Sequence, residues 1–357
     1  MTFVSLLENN AILTREDWEE FLAHVIPPRP PLLARAAYDE LSPRKKFIYD
    51  QQRDDWHADF GFGTTETYMK VESSFMLSMK LNIRSKDPVK QHLALSGPPT
   101  LGKTTIATAL GKWFAVWLPA LLEARGEVVD DEHENIWVVY VTLTAETGTR
   151  HLDEQIAFFL GMTVSDIRAY GDQHLTNAVK LEIKRHRTKL LIVDDLHLLK
   201  PGRENTDYIR DHLKSLSSQS GATLLVVGIE LETTNLFEEQ KKKQAVKAGQ
   251  TGGRFELVLI ERIERGSDEW IALITWCEEQ LVLIEHPEGD LLKLQNYLWN
   301  RTQGSIGSLL HLVRKAAILA VQSTGKGKER EEHLTKAFLD GVTLDYNATT
   351  YGNKEDA

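Results

Sequence analysis

The sequence predicts an α/β fold: a five-stranded parallel sheet between helices, preceded by a helical extension and followed by an all-helical domain. Three observations predict it. Residues 96–105 read Ser-Gly-Pro-Pro-Thr-Leu-Gly-Lys-Thr-Thr, a complete GxxxxGK[ST] loop set between a short apolar run and a helix-forming stretch. Short aliphatic runs at 91–96, 136–143, 189–194, 222–228 and 256–260 are mostly separated by helical patterns. Near-continuous apolar strands interleaved with helices belong to a parallel sheet covered on both faces. After residue 266 the strand-like runs stop and helical patterns take over.

The elements follow in order. Thr14 is placed to cap an acidic helix, Thr14-Arg-Glu-Asp-Trp-Glu-Glu-Phe-Leu-Ala-His-Val. Pro27, Pro28, Pro30 and Pro31 end it and impose an extended connector. Helices are expected around 33–55 and 66–84, separated by a turn at Gly61 and Gly63. The five strands come next. Helices then run over 267–284, 288–302, 305–323 and 329–340, with turns at Pro287, Gly304 and Gly325. The expected domains are a helical extension at 1–84, a nucleotide-binding α/β domain at 85–266, a helical lid at 267–345 and a tail at 346–357.

Bulk composition bounds the class. At 357 residues the chain has room for two or three domains, and 42% hydrophobic with 26% charged residues is ordinary for a globular protein. The single cysteine, Cys277, excludes a disulfide framework and a cysteine metal cluster, and reads as a small apolar helix residue. No basic, apolar leader opens the chain, and no apolar run is expected to reach the roughly twenty residues of a membrane span. These readings point to the cytoplasm. The net charge of −10 argues against a chain that coats nucleic acid by bulk charge, while leaving room for a local basic surface.

Each position of the 96–105 loop has a physical task. Gly97 and Gly102 let the backbone of Gly97, Pro98, Pro99, Thr100, Leu101 and Gly102 wrap a phosphate chain with its N–H groups inward. Lys103 would neutralise the β- and γ-phosphates, and the Thr104 hydroxyl would ligate magnesium. Thr105 continues into a helix whose N-terminus faces the anion. The ligand these positions imply is a nucleoside triphosphate with magnesium. A second segment, Lys189-Leu-Leu-Ile-Val-Asp-Asp-Leu-His197, is an apolar strand ending in two carboxylates. Asp194 would hold the metal and Asp195 would polarise the attacking water. Glutamate is usual at the second position, so the shorter Asp195 implies slow hydrolysis.

Other polar groups fall near strand ends. Glu230 or Thr233, or neither, would touch the γ-phosphate from the end of the fourth strand. Arg254, just before the last strand, is the residue expected to reach a neighbouring copy's γ-phosphate, with Arg262 and Arg265 as alternatives. In the Gly304-Ser-Ile-Gly307 turn no sensor arginine follows, and Arg301 and Arg314 are the nearest substitutes. That segment reads as lid packing. Basic stretches occur at 184–189 and 241–247, and a threonine-rich loop at 142–150 ends in an arginine. Of these, Thr147, Thr149 and Arg150, with Lys241, Lys242 and Lys243, are taken to face DNA phosphates, which position without reading sequence.

The order of motifs resembles an AAA+ ATPase and, within that group, the TniB/TnsC family of transposition regulators, relatives of IstB and MuB. Leu93 through Thr105, Ile192-Val-Asp-Asp-Leu-His-Leu-Leu199, Gly253-Arg-Phe-Glu256 and Thr302-Gln-Gly-Ser-Ile-Gly307 carry the resemblance. Ala36-Ala-Tyr-Asp-Glu40 and Tyr49-Asp-Gln-Gln-Arg-Asp-Asp-Trp-His57 resemble its helical lead-in. The resemblance implies an ATP-dependent protein that binds double-stranded DNA without sequence preference. It further implies assembly as a homo-oligomeric ring or filament, recruitment of a DDE-type transposase, and no membrane partner. ATP would lie between sheet and lid, completed by Arg254 of the next copy. A nucleotide-gated signalling or defence switch acting on a protein partner is the alternative, and a scaffold that never turns over is a third reading.

Overall fold

The computed structural model describes residues 11–85, 89–127, 134–143, 148–198, 206–233, 254–322 and 332–344. In chain order they form α1 (Arg15–Ala23), α2 (Arg35–Asp39), α3 (Pro43–Ala58), α4 (Glu66–Arg84), β1 (His92–Ser96), α5 (Lys103–Ala124) and β2 (Val138–Thr142). There follow α6 (Thr149–Phe159), α7 (Val164–Ala169), α8 (Asp172–Arg185), β3 (Leu190–Asp194), α9 (Thr206–Ser220), β4 (Thr223–Gly228) and β5 (Phe255–Leu259). The chain continues as α10 (Asp268–Gln280), α11 (Asp290–Lys293), α12 (Gln295–Thr302), α13 (Ile306–Gln322) and α14 (Lys336–Asp340).

Two compact units emerge. The first comprises residues 1–24, 70–98 and 103–260; the second comprises 25–69, 99–102 and 261–357. In the first, the five strands form one sheet in the order β2-β3-β4-β1-β5, and every pairing is parallel. β1, β3 and β4 are buried at every residue, which is why they read as unbroken aliphatic runs. α5 packs on β2, β3 and β4 through buried Ile106, Leu110, Phe114 and Leu118. This helix is long and apolar enough to cross a membrane by length and composition. The expectation that no segment approaches that threshold is therefore corrected. The helix's apolarity serves the sheet it covers.

α1 also belongs to the first unit. Thr14 caps it as expected, its hydroxyl accepting the Asp17 N–H while Asp17 returns to the Thr14 N–H at 2.8 Å, a reciprocal capping box. The helical extension expected over 1–84 is thus divided between the units. Residues 25–69 join the second because of long-range polar pairs. Arg53 of α3, wholly buried, donates to equally buried Glu332 at 2.6 Å and to Asp50 at 2.6 Å. Glu332 also accepts the Ile284 N–H at 2.8 Å. Neighbouring His57 accepts the Val282 N–H at 3.0 Å, and burial lowers its pKa to about 3, keeping it a neutral acceptor. Around these groups Trp56, Phe60, Trp270, Ile274, Leu309 and Val313 form an apolar core. Cys277 lies in it, its thiol pushed up to about 12 by burial, an inert apolar residue as expected.

Replacing Arg53 with alanine would leave the Glu332 carboxylate buried and unpaired. The expected loss is about 3–5 kcal/mol of stability, read from denaturant unfolding; a loss below about 1 kcal/mol would contradict this account of the pair.

Candidate nucleotide site

Parallel pairing gathers the carboxyl ends of the strands at one end of the sheet. Register sets Ser96 of β1 beside Gly228 of β4, and Thr142 of β2 beside Asp194 of β3. In open parallel sheets this is the end at which ligands bind. The 97–102 loop leaves β1 here. Pairing with β5 continues one residue past the strand, the Ile260 N–H donating to the Ser96 carbonyl at 2.7 Å. A Cβ at Gly97 would therefore overlap the Ile260 carbonyl oxygen, and only glycine fits. Thr100 and Gly102 both have left-handed backbones, with φ of 64° and 79°. Within the second unit the loop apex is tied down: the Thr100 carbonyl accepts the Gly307 N–H at 2.9 Å and the Ser305 hydroxyl at 2.8 Å.

Lys103 opens α5, buried, with Nζ donating to the Pro98 carbonyl at 2.6 Å. Burial lowers its pKa, and the charges of Asp194 and Asp195 oppose that shift. Thr104 and Thr105 are exposed on the first helical turn, where N–H groups lack helical partners. Asp194 ends β3 almost fully buried. Its Oδ1 accepts the Asp195 N–H at 2.8 Å, and its Oδ2 accepts the Tyr140 hydroxyl at 2.9 Å. Asp195 follows in a left-handed conformation, φ 55°, which aspartate tolerates better than most residues. Burial first, and the Asp194 charge second, raise its carboxyl above the ordinary aspartate range. The donor set suits a triphosphate with its cation: an ammonium, a threonine hydroxyl and two carboxylates.

The flanking candidates divide. Glu230 is exposed with φ 51°, and the Thr233 hydroxyl donates to the Glu230 carbonyl at 2.8 Å, so Thr233 shapes the turn. The side chain that returns toward β1 is Glu232, which the sequence pattern does not single out. Its carboxylate accepts the buried Ser96 hydroxyl, whose oxygen in turn accepts the Leu231 N–H at 2.9 Å. Only the turn over Leu231–Thr233 decides which acid points back, and a string of alternating acids carries no such signal.

Arg254 lies at the opposite end of the sheet. Its carbonyl accepts the His92 N–H at 2.6 Å where β1 and β5 begin, so roughly 15 Å of strand separates it from the loop. Arg262 donates to the Gln303 carbonyl at 2.9 Å, and Arg265 to Asn296 at 3.1 Å. Arg301 binds the Leu339 and Val342 carbonyls at 3.1 and 2.9 Å, and Arg314 binds the Gly61 carbonyl and stacks over Phe60. Both substitutes for a sensor arginine are thus committed to packing.

Of the expected DNA-facing loop, Thr149 and Arg150 are among the described residues. Thr149 is buried in the first turn of α6, and the Arg150 guanidinium is spent on Glu154 at 2.8 Å and Asp172 at 2.5 Å. The Asp172 contact ties α6 to α8. Thr147, Lys241, Lys242 and Lys243 lie outside the described residues.

A parallel sheet in this order, with a phosphate loop after β1 and an acidic pair after β3, is the AAA+ P-loop NTPase fold. Residues 88–237 match the AAA domain family, so the chain carries an AAA domain. No curated protein matches the chain. Among solved structures, the Orc1 protein of Aeropyrum pernix in complex with DNA aligns over 82% of this chain at 13% identity, TM-score 0.51. The aligned part is 66% of that protein, so this chain spans just under two thirds of its length. Cdc6p from Pyrobaculum aerophilum aligns at 14% identity over 79% of this chain and 68% of its own, TM-score 0.47. The ORC2 protein of Aeropyrum pernix, in ADPNP–ADP complexes, aligns at 12% identity over 80% and 67%, TM-score 0.47.

An alanine at Gly97 meets backbone that β-pairing holds in place, so the cost should be that of overpacking, about 1–3 kcal/mol. At Gly171, where a Cβ meets nothing, alanine should cost well under 1 kcal/mol. Thermal melts of the two variants check the contrast, and equal melting points would refute it.

Proposed function

We propose that the chain is an ATP-dependent, DNA-binding AAA+ ATPase that assembles on double-stranded DNA and recruits a transposase. The observation that carries the nucleotide half is the convergence of Lys103, Asp194 and Asp195 at the phosphate-loop end of one sheet. Lys103 exchanges the Pro98 carbonyl for the β- and γ-phosphates. Thr104 and Asp194 hold Mg, which when bound neutralises developing charge on the phosphates. Asp195 accepts the proton of the attacking water. Arg254, roughly 15 Å of strand from its own loop, acts on a neighbouring copy, where its permanent charge stabilises the transferring phosphoryl group.

The DNA half rests on the resemblance to transposition regulators and on the likeness to an Orc1 protein solved with DNA. The Lys241–Lys243 run supplies the local positive charge that the net −10 does not. ATP binding favours the assembled, DNA-bound state because that state binds nucleotide more tightly.

Fluorescence anisotropy on a random-sequence duplex, with ATP, ADP or a non-hydrolysable analogue, tests this. Binding should require a triphosphate, and Lys103→Ala, which removes a charged hydrogen bond of about 1.5–3 kcal/mol, should raise the ATP concentration needed for the response by about 10- to 150-fold. Changing all three of Lys241–Lys243 to glutamine should flatten the slope of log K against log salt by about 0.9 for each phosphate no longer neutralised. No binding in any nucleotide state at low salt would refute the DNA reading.

Kinetics test the catalytic assignments. Arg254→Ala should keep ATP affinity and lower turnover by about 10³-fold or more. Mixing it with Lys103→Ala, which brings an intact arginine to the variant's sites, should restore part of the rate. Because Asp195 works as carboxylate and its pKa is raised, turnover should fall with acid at a higher pH than an ordinary aspartate allows. Asp195→Asn should remove that acid limb; its persistence would exclude Asp195 as the base.

A further inference from the structure

The buried carboxylate of Asp194 is oriented by a side chain from the neighbouring strand. Tyr140 lies in β2, two residues before the Thr142 that pairs with Asp194, and its hydroxyl donates to Asp194 Oδ2 at 2.9 Å. Burial, reinforced by the Asp194 charge, raises the phenol's pKa, so it remains a proton donor. The Tyr140 ring is 3% exposed, and its position is set in turn by α1.

Trp18 of α1 lies flat on Tyr140, with ring centroids 5.5 Å apart and planes 5° from parallel. Phe21, one turn on, stacks against Trp18 at 5.4 Å. The indole reaches this position because α5 carries Gly111 beneath it. A Cβ there would come within 2.8 Å of Trp18 and 2.7 Å of Ile192 in β3. Lys112, the next residue, closes the carboxyl end of α1, its Nζ donating to the His24 carbonyl at 2.8 Å and to the Phe21 carbonyl at 3.3 Å. Near the other end Arg15 pairs with Glu134. α1 precedes the matched AAA domain in the chain, yet is fastened to the helix that begins at Lys103 and to the strand beside Asp194.

We propose that α1 is a positioning element for the nucleotide site, with Trp18 seating the Tyr140 ring and the Tyr140 hydroxyl aiming the Asp194 carboxylate at the divalent cation that accompanies the nucleotide. The inference rests on the reading of Asp194 as a cation ligand. Tyr140 and Trp18 touch neither nucleotide nor cation; they act through Asp194, as partners behind a metal ligand do.

The test is a magnesium titration of the full-length protein with a fluorescent non-hydrolysable ATP analogue, alongside affinity for the same analogue in EDTA. Tyr140→Phe keeps the stacked ring and removes the donor. It should weaken apparent magnesium affinity by about 10- to 100-fold and leave EDTA affinity unchanged. Trp18→Ala should shift the magnesium midpoint the same way, Trp18→Phe should restore it, and in the Tyr140→Phe background Trp18→Ala should add nothing. Asp194→Asn separates the two claims. If it shifts the midpoint while Tyr140→Phe does not, the positioning role is overturned and the cation ligand stands. If Asp194→Asn has no effect, the ligand reading and this inference fail together. Equal losses with and without magnesium in Tyr140→Phe would reduce the contact to packing and overturn the proposal.

Discussion

Everything at the nucleotide end follows from β1 being paired in parallel on both sides. β4 and β5 flank it in register, so Ser96 meets Gly228 on one side and Leu259 on the other. The ladder does not stop at the strand end, because the Ile260 N–H still reaches the Ser96 carbonyl. The next residue must therefore pass against a fixed carbonyl without a side chain, and Gly97 is the consequence. The phosphate loop begins with glycine here for a packing reason as well as for the anion. The same parallel constraint puts Asp194 level with Thr142 and sends Arg254 to the far end beside His92.

The strands were legible because burial on both faces leaves an uninterrupted aliphatic signature. All five occur within two residues of the expected bounds. The loop and acidic pair were legible because their chemistry restricts residue type at fixed spacing. What escaped the sequence depends on pairs far apart in the chain. Arg53 and Glu332, 279 residues apart, draw α3 into the second unit, and nothing local to Tyr49–His57 announces that partner. The partners of Glu232 and Arg150 escaped it for a related reason. A charged side chain in a turn or first helical turn reads as available, and only the fold shows Glu232 taking the Ser96 hydroxyl and Arg150 taking Glu154 and Asp172. Fold class is written in periodicity; which polar groups are spent on one another is written in three dimensions.

Asp195 shows how backbone and side chain combine. A carboxylate one methylene shorter than glutamate has less reach, and the left-handed turn at φ 55° changes where that reach begins. Such a conformation in a non-glycine residue is held by its surroundings. Here the Asp195 N–H is locked onto Asp194 Oδ1. The two carboxylates are therefore not independent. The bond that fixes Asp194 also sets the Asp195 backbone, while the Asp194 charge helps keep the Asp195 proton on to higher pH.

The same carboxylate explains why α1 belongs with the α/β unit. Asp194 has two oxygens, and a neighbour holds each: the Asp195 backbone at Oδ1 and the Tyr140 hydroxyl at Oδ2. The first hold is made within the strand end itself. The second is made through a ring that must be kept in place, and the face of that ring is covered by Trp18 of α1. Gly111 and Lys112, adjacent on α5, accommodate the indole and cap α1, so the helix that carries Lys103 also seats the segment that steadies Asp194. Lys103 and Asp194 are the two charges that the proposed triphosphate and its cation would need in fixed relation. One short helix, through one stacked ring and one hydroxyl, bears on that relation from outside the 97–102 loop.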